Sequence, residues 1–266
     1  MLVSIIIPAY KQENTIVRDL ESIYSVMKNT RWDFELIVVV DGDFDDTFKN
    51  ASKVKHNNVR VVGYSTNRGK GYALRYGIAR STGDYIVFMD AGMDINPNGI
   101  SLILEHMQWY NADVIVGSKR HIASRVHNYP IVRKMYTWGY HLLVKLLFRL
   151  PLKDTQAGLK VYRRAVLEKV LPRLVVKKFA IDVEVLAVAY RLGFVRMYDA
   201  PIEVSLGFSD TSFNPLFVFD KNIQAMVWDT VAIFYRMYFL KYYDDGNKRK
   251  WIYDHELSMR INTGES

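Results

Sequence analysis

Two aspartates lie four residues apart after an apolar run, in the segment Asp90-Ala91-Gly92-Met93-Asp94. Two carboxylates on one short loop suit a divalent cation such as Mg²⁺ or Mn²⁺, which prefers oxygen ligands and keeps positions for phosphate oxygens. An aspartate that only caps a helix or closes a turn gives the same pattern. The segment therefore predicts a metal site at Asp90 and Asp94 and leaves the simpler interpretation open.

A second polar loop, Asn67-Arg68-Gly69-Lys70-Gly71, combines two cations with glycines just before a predicted helix. Glycines let the backbone approach an anion, and a helix N-terminus attracts one. The spacing matches neither the Walker A loop nor the Rossmann glycine pattern, so ATPase and NAD-binding functions lack their usual support. We expect an anion site here, with a solvated turn as the alternative.

These loops are placed by predicted strands that alternate with helical patterns. The apolar strand runs span residues 2–7, 35–40, 59–64, 85–89 and 114–116. Such alternation predicts an α/β fold with a mostly parallel sheet flanked by helices. Ligands bind such sheets beyond the carboxyl ends of the strands. Polar groups follow each run, and we expect them to form one site.

Composition narrows the classes of protein further. The chain has 266 residues, no cysteine and a formal net charge of +8, and the excess is confined to residues 119–178, with 15 basic and 2 acidic side chains. The missing cysteine excludes a thiolate nucleophile and a disulfide framework. The N-terminus resembles no signal peptide, and uncharged apolar stretches are too short for a spanning helix of about 18 residues.

The pattern changes after residue 120. Residues 131–150 have apolar and aromatic side chains at helical spacing with interspersed cations, which is typical of an amphipathic helix at an anionic membrane surface. A core helix is the alternative. Residues 179–192 read as a helix and 195–204 as a strand broken by Pro201, while the chain becomes aromatic from Phe213 and is expected to fray after Asp244.

Five motifs in register resemble the inverting family-two glycosyltransferases with a GT-A fold, and among them the polyprenyl (dolichyl) phosphate hexosyltransferases. The motifs are Pro8-Ala9-Tyr10, Asp41-Gly42-Asp43-Phe44-Asp45-Asp46-Thr47, the Asn67–Gly71 loop, the Asp90–Asp94 segment and Asp154-Thr155-Gln156-Ala157-Gly158-Leu159-Lys160. The resemblance covers about residues 2–204. It departs at Gly92, where the family usually has its second aspartate.

The resemblance implies a role for each matching residue. The nucleotide sugar is expected to contact Pro8, Tyr10, Asp41, Arg68, Lys70 and Asp90. The acceptor phosphate is expected to contact Lys119, Arg133 and Thr137. The catalytic residues are expected to be Asp90, Asp154 and Gln156, and the metal ligands Asp90 and Asp94.

The resemblance also implies a reaction and a place for it. A hexose would pass with inversion from a nucleotide sugar of the UDP-glucose or GDP-mannose type to a polyprenyl phosphate, with Mg²⁺ or Mn²⁺ as cofactor. The enzyme would lie on the cytoplasmic face of a membrane without spanning it, and would bind no nucleic acid. A catalytic domain at 1–212 would divide into a donor half (1–118) and an acceptor half (119–212), followed by a helical extension at 213–266.

Three alternatives remain open at this point. A sugar or glycan acceptor would need a carboxylate base, for which Asp154 is the candidate. A catalytically impaired relative that only binds is favoured by Gly92. A nucleic-acid-binding protein would use the same basic segment but would leave Asp90, Asp94 and Asp154 without a role.

Overall fold

The computed structural model describes residues 1–92, 94–127, 129, 131–205, 221–246 and 250–262, except for the side chains of 131–133, 221 and 222. The expected boundary between residues 212 and 213 lies outside the described residues. The division at residue 118 stays a prediction.

Seven strands form the central sheet: β1 (Leu2–Ala9), β2 (Asp33–Asp41), β3 (Val59–Tyr64), β4 (Tyr85–Met89), β5 (Val114–Ser118), β7 (Leu159–Arg163) and β8 (Met197–Pro201). Their order is β3-β2-β1-β4-β7-β5-β8. A separate pair consists of β6 (Arg125–His127) and β9 (Glu203–Ser205). All neighbours in the central sheet are parallel except β7, which is antiparallel to β4 and β5. The prediction of a mostly parallel α/β sheet is confirmed.

Helices cover both faces of this sheet: α1 (Ile16–Lys28), α2 (Thr47–Ala51), α3 (Lys70–Ile78), α4 (Asn98–Trp109), α5 (Ile131–Phe148), α6 (Arg164–Val170), α7 (Ile181–Arg191) and α8 (Lys221–Tyr238). Successive residues of β1 show why. Ile6 packs into one buried cluster, whereas Ile5 and Ile7 pack into the other. A strand with both faces buried reads as a continuous apolar run, and this is the pattern that the sequence has at residues 2–7.

The C-terminal region is more ordered than expected. After α8, the strands β10 (Trp251–Asp254) and β11 (Met259–Asn262) form an antiparallel hairpin. Leu257 in its turn is buried, and the Tyr242 hydroxyl donates to the Asn262 carbonyl at 3.1 Å. The expectation of a frayed tail after Asp244 is wrong for these residues, because strand pairing and the burial of Leu257 order the segment.

Candidate active site

Asp90 follows β4 at the edge of the sheet where the parallel strands end. Its backbone N–H donates to the Gly158 carbonyl at 3.0 Å. A cavity of about 140 Å³ lies beside it, and its polar lining side chains are Asp90, Asp94, Lys119, Tyr129 and Gln156. The structure therefore brings the acidic loop, the residue after β5 and the Asp154–Lys160 motif to one place.

The antiparallel direction of β7 explains how that last motif arrives. Parallel strands place their carboxyl ends at this edge, whereas an antiparallel strand places its beginning there. Leu159, the first residue of β7, pairs with Met89, the last residue of β4. The residues before Leu159 consequently lie next to the residues after Met89.

A chain of charges runs inward from Asp90. The Lys70 ammonium lies 2.8 Å from Asp90 Oδ1 and 2.9 Å from Asp182 Oδ2, and Lys160 Nζ lies 2.7 Å from Asp182 Oδ1. Although burial opposes both shifts, Asp182 and Asp90 raise the pKa of Lys70, and Lys160 and Lys70 lower the pKa of Asp182. Both groups are therefore ionised at neutral pH. Lys70 is a positive charge held directly beside the candidate metal ligand.

Asp41 and Arg68 are both expected to contact the nucleotide, and in the structure Asp41 binds the backbone of the loop that carries Arg68. Asp41 is buried, and its carboxylate accepts hydrogen bonds from the backbone N–H groups of Arg68 (2.7 Å) and Gly69 (3.0 Å). The Arg68 guanidinium turns toward Tyr72 and Glu256, each 2.6 Å from Nη1. The side chain of Lys70 thus reaches Asp90, while the contacts of the Arg68 side chain lie elsewhere.

Pro8 and Tyr10 lie at the end of β1, between the ends of β2 and β4 in the sheet order. Tyr10 is exposed and meets Phe44 edge to face, with ring centroids 5.9 Å apart. The Lys11 ammonium lies 5.4 Å from the Tyr10 ring centroid. An exposed aromatic pair with a nearby cation is a surface on which a nucleobase can stack.

Asp154 is buried and holds its neighbours in place. Oδ2 accepts from the Lys119 backbone N–H at 3.1 Å and lies 3.2 Å from Lys119 Nζ, while Oδ1 accepts from the Gln156 N–H at 3.0 Å. Its side chain is only 3% exposed, and both of its oxygens are engaged by Lys119 and Gln156. The arrangement suits a carboxylate that orients Lys119 and Gln156 better than one that accepts a proton from a substrate.

Gly92 has a φ of +103°, a conformation that side-chain-bearing residues rarely adopt. Its N–H donates to Asp19 Oδ2 at 3.0 Å, so a buried carboxylate of α1 fixes this turn. At this position, where the family usually has an aspartate, the backbone conformation favours glycine and disfavours an aspartate. Asp94 supplies the second carboxylate that lines the cavity.

The donor atoms around the cavity fit a divalent cation. Gln156 Nε2 is buried without a hydrogen-bond partner in the described structure, and the side chain lines the same cavity as both aspartates. Amide oxygen and nitrogen positions are assigned from their partners, so this amide can equally present oxygen to the cavity. Within the described ranges, no group of three or more His, Asp or Glu side chains could hold a metal. Two carboxylates with an amide leave room for substrate oxygens, as Mg²⁺ prefers.

On the acceptor side, Thr137 of α5 lies beside Tyr129, with the two hydroxyl oxygens 2.8 Å apart. Its carbonyl accepts from Arg120 Nη2 at 3.0 Å. Arg133 belongs to the same helix, but its side chain lies outside the described part of the chain. Lys119, Tyr129 and Thr137 all line a second cavity of about 650 Å³.

This second cavity is an apolar groove between α5 and α8. It shares Lys119, Tyr129 and Gln156 with the acidic cavity and extends along apolar and aromatic side chains, namely Met135, Tyr136, Tyr140, Leu143, Phe179, Ile223, Met226 and Val227. The Tyr140 and Thr230 hydroxyl oxygens, 2.7 Å apart, join the two helices. The groove begins at one cation, Lys119, and continues over apolar surface.

Both helices have one buried and one exposed apolar face. Val144 and Phe148 of α5 and Ile233 and Met237 of α8 are buried. The exposed stripes are Met135, Trp138, Leu142 and Leu146 on α5 and Trp228, Val231, Tyr235 and Tyr238 on α8. The core interpretation therefore holds for the buried face of each helix. The interfacial interpretation stays a prediction for the exposed face. Within the described chain, no helix is long and apolar enough to cross a bilayer.

Several residues of this region are not among those that the sequence predicts. Tyr129 lines both cavities, Lys160 and Asp182 continue the charge chain, and Glu256 reaches Arg68 from the far end of the chain. Lys160 has one usable signal in the sequence, since it is a cation placed between Leu159 and Val161 near the start of β7. The contacts of Asp182 and Glu256 depend on packing between distant segments.

A mostly parallel sheet with an acidic loop and a lysine at its carboxyl edge is the arrangement expected of a glycosyltransferase of the GT-A class. The chain belongs to glycosyl transferase family 2, whose model matches residues 4–171. The protein is therefore a glycosyltransferase, and the family resemblance of its motifs is confirmed.

Relatives with assigned names are similar over most of the chain. The dolichyl-phosphate beta-glucosyltransferase of Dictyostelium discoideum is 28% identical over 88% of this chain and 74% of its own length. The human enzyme of the same name is 31% identical over 70% of this chain. The match covers 62% of the human enzyme, so this chain spans less than two thirds of that relative.

Solved structures share the fold. Glucosyl-3-phosphoglycerate synthase from Mycobacterium tuberculosis, in complex with Mn²⁺, UDP-glucose and phosphoglyceric acid, superposes with a TM-score of 0.63. The match covers 100% of this chain and 87% of that one at 19% identity. At this identity the likeness concerns the fold alone.

Proposed function

We propose that this protein transfers a hexose from a nucleotide sugar to a polyprenyl or dolichyl phosphate, with inversion, at a membrane surface. The carrying observation is that the acidic cavity and the apolar groove share Lys119, Tyr129 and Gln156. An acceptor with an anionic head and a long apolar tail matches that junction of a cation, Lys119, with apolar surface. The names of the relatives favour glucose, so UDP-glucose is the first donor to test and GDP-mannose the second.

The proposed donor site is the carboxyl edge of the sheet. Pro8, Tyr10 and Asp41 would hold the base and ribose, directly or through their loop, with Arg68 nearby. Lys70 would face the diphosphate because Asp182 holds its ammonium beside Asp90. Asp90 and Asp94 would hold Mg²⁺ or Mn²⁺, and Gln156 lines the same cavity. The cation, when bound, supplies Lewis-acid stabilisation of the leaving diphosphate.

The acceptor phosphate would lie at Lys119 and Thr137, with Arg133 on the same helix. Its oxygen attacks the anomeric carbon as the bond from that carbon to the diphosphate breaks. A phosphate monoester has a second pKa of about 6, so it is already a nucleophile and gives up no proton in the attack. Lys70 offsets the negative charge that develops on the leaving group.

The state of Asp154 separates this proposal from its nearest alternative. A sugar or glycan hydroxyl would need a general base, and Asp154 was the candidate. That carboxylate is buried and bonded to Lys119 and Gln156, which favours a positioning role. An anionic acceptor needs no base, and the geometry agrees with it.

We further propose peripheral attachment through the exposed stripes of α5 and α8. Lys134, Lys145 and Arg149 are exposed around α5. Apolar side chains enter the headgroup boundary while neighbouring cations meet anionic lipid. This attachment would place the groove at the lipid surface. We propose the cytoplasmic face of the membrane as its location and no nucleic acid as a partner.

The test is a donor and acceptor screen on the purified chain. UDP-glucose and GDP-mannose are each supplied with phytanyl phosphate in detergent, with Mn²⁺, Mg²⁺ or EDTA, and the product's mass and anomeric configuration are measured. We expect a hexosyl phytanyl phosphate with inverted anomeric configuration, formed from UDP-glucose. EDTA should abolish its formation. Asp90→Asn should remove activity, while Asp33→Asn, an exposed aspartate at the opposite edge of the sheet, should retain it.

Two results would contradict the proposal. Transfer to a sugar hydroxyl but not to the lipid phosphate would favour the alternative acceptor. Nucleotide binding by calorimetry without any transfer would favour an impaired relative, the interpretation that Gly92 supports.

A further inference from the structure

The C-terminal hairpin contacts the loop that begins α3. Glu256, in the turn between β10 and β11, lies 2.6 Å from Arg68 Nη1, although 188 positions separate the two residues in the sequence. Arg68 also lies over the rings of Tyr72 (4.7 Å) and Tyr64 (5.3 Å). Glu256 thus closes an aromatic and charged clamp around the Arg68 guanidinium.

The turn that carries Glu256 is itself fixed. Asp254 Oδ1 accepts from the N–H groups of Glu256 (2.9 Å) and Leu257 (3.0 Å). Leu257 is buried, and Arg80 Nη1 donates to the Glu256 carbonyl at 3.2 Å. A carboxylate on an anchored turn restrains its partner more than one on a mobile tail, because less side-chain and backbone freedom remains to be lost.

The Arg68 loop is held from two other directions. Asp41 accepts from the N–H groups of Arg68 and Gly69, and the Gly71 N–H donates to the Lys177 carbonyl at 2.9 Å. These contacts hold the backbone, and Lys70 within the same loop reaches Asp90. Glu256 supplies the charged contact that, together with Tyr72, fixes the Arg68 side chain.

We propose that Glu256 is a positioning residue for the nucleotide-sugar donor. The inference rests on the proposed function, because it assumes that the Asn67–Gly71 loop faces a nucleotide. By clamping Arg68 from the hairpin, Glu256 holds this loop in its binding conformation before the donor arrives. A site ordered in advance loses less conformational entropy on binding. The C-terminal hairpin, which lies beyond the residues matched by the family model, is then part of the donor site's support.

The test compares Glu256→Gln with Glu105→Gln. Glutamine keeps the size and hydrogen-bonding capacity of the side chain but removes its charge. Glu105 forms a similar pair with Arg31 at 2.7 Å, between α4 and the segment before β2, and serves as the matched control. Both carboxylates are partly exposed, so neither change should prevent folding.

Two measurements decide the matter. Hydrogen–deuterium exchange by mass spectrometry on the unliganded proteins should show faster exchange for peptides spanning residues 64–76 in Glu256→Gln only. Steady-state kinetics should show the donor KM raised about two- to fivefold, with kcat unchanged, as expected for a partly exposed ion pair. Unchanged exchange or an unchanged KM overturns the proposal, and so does a lower KM, which would mean that Glu256 withholds Arg68.

Failure of the proposed function would be visible separately. If the wild-type chain transfers no hexose and binds neither UDP nor GDP with Mn²⁺, the donor site itself is wrong. The exchange comparison still reports whether Glu256 orders the loop.

Discussion

A methyl group at Gly158 should disable the site by displacing Asp90. A Cβ at this position would lie 2.4 Å from Asp90 Oδ2, 2.8 Å from its Cγ and 3.0 Å from its Cβ. Ordinary contact between such atoms needs about 3.5 Å, so the carboxylate must retreat by about 1 Å. Gly158 has no positive φ, so its backbone accepts alanine.

The expected cost follows from that displacement. A shift of about 1 Å in a positioned group reduces the rate about 100-fold, or about 2.7 kcal/mol of transition-state stabilisation. The Asp90 side chain is 44% exposed and can move outward, so folding should be unaffected. We expect Gly158→Ala to keep its thermal midpoint, to lose about 100-fold in kcat/KM and to require more Mn²⁺ for half-maximal rate.

The assay is hexosyl transfer to phytanyl phosphate, with Mn²⁺ titrated at fixed donor. Gly246→Ala is the control, since a Cβ there meets nothing within 4 Å among the described residues. A Gly158→Ala enzyme with wild-type kcat/KM and wild-type Mn²⁺ dependence would refute the placement of Asp90 in the reaction. A variant that fails to fold would refute the claim that the carboxylate can move aside.

Three further predictions test other parts of the site. Asp154→Asn should raise the acceptor KM and leave the pH profile of kcat unchanged, because the carboxylate orients Lys119. A variant whose pH profile loses its acidic limb would instead indicate that Asp154 is a general base. Trp138→Ala in α5 should lower recovery with floated vesicles containing anionic lipid by about tenfold or more, since burying a large apolar side chain contributes about 1.5–3 kcal/mol; unchanged flotation would argue against attachment through this face. The folded-state pKa of Asp182 lies below its usual 3.8, so its ionised form stabilises the fold above pH 3.8, and this stabilisation is lost as the pH falls through the folded pKa. In urea unfolding across the acid range, the free energy of unfolding of Asp182→Asn should therefore depend less steeply on pH than that of the wild type. Equal slopes would contradict the assignment.

The sheet and much of its edge could be predicted from local pattern. Continuous apolar runs such as Leu2–Ile7 predict strands buried on both faces, and that physical constraint acts on each strand separately. Polar residues at the ends of such strands meet at one edge by the geometry of parallel pairing. The sequence therefore predicts Asp90 and Lys70 in one site, and the structure places their charged atoms 2.8 Å apart.

Other features depend on which distant segments pack together. The division of α5 and α8 into buried and exposed faces follows from their contact with each other and with the sheet, since a stripe of aromatics has the same spacing in either environment. The direction of β7 is also a tertiary outcome. Without its antiparallel insertion between β4 and β5, the Asp154 motif would lie at the opposite edge.

The amino-acid sequence by itself determined the α/β class, the family resemblance and the acidic and basic loops, because these depend on residue type and on spacing within a few turns or strands. Only the tertiary structure decided that Asp154 orients Lys119, that Asp182 supports Lys70, and that Glu256 holds Arg68. These three contacts join residues that are 35, 112 and 188 positions apart in the sequence. Which of them form is decided by the packing of whole elements, and a local pattern carries no information about that packing.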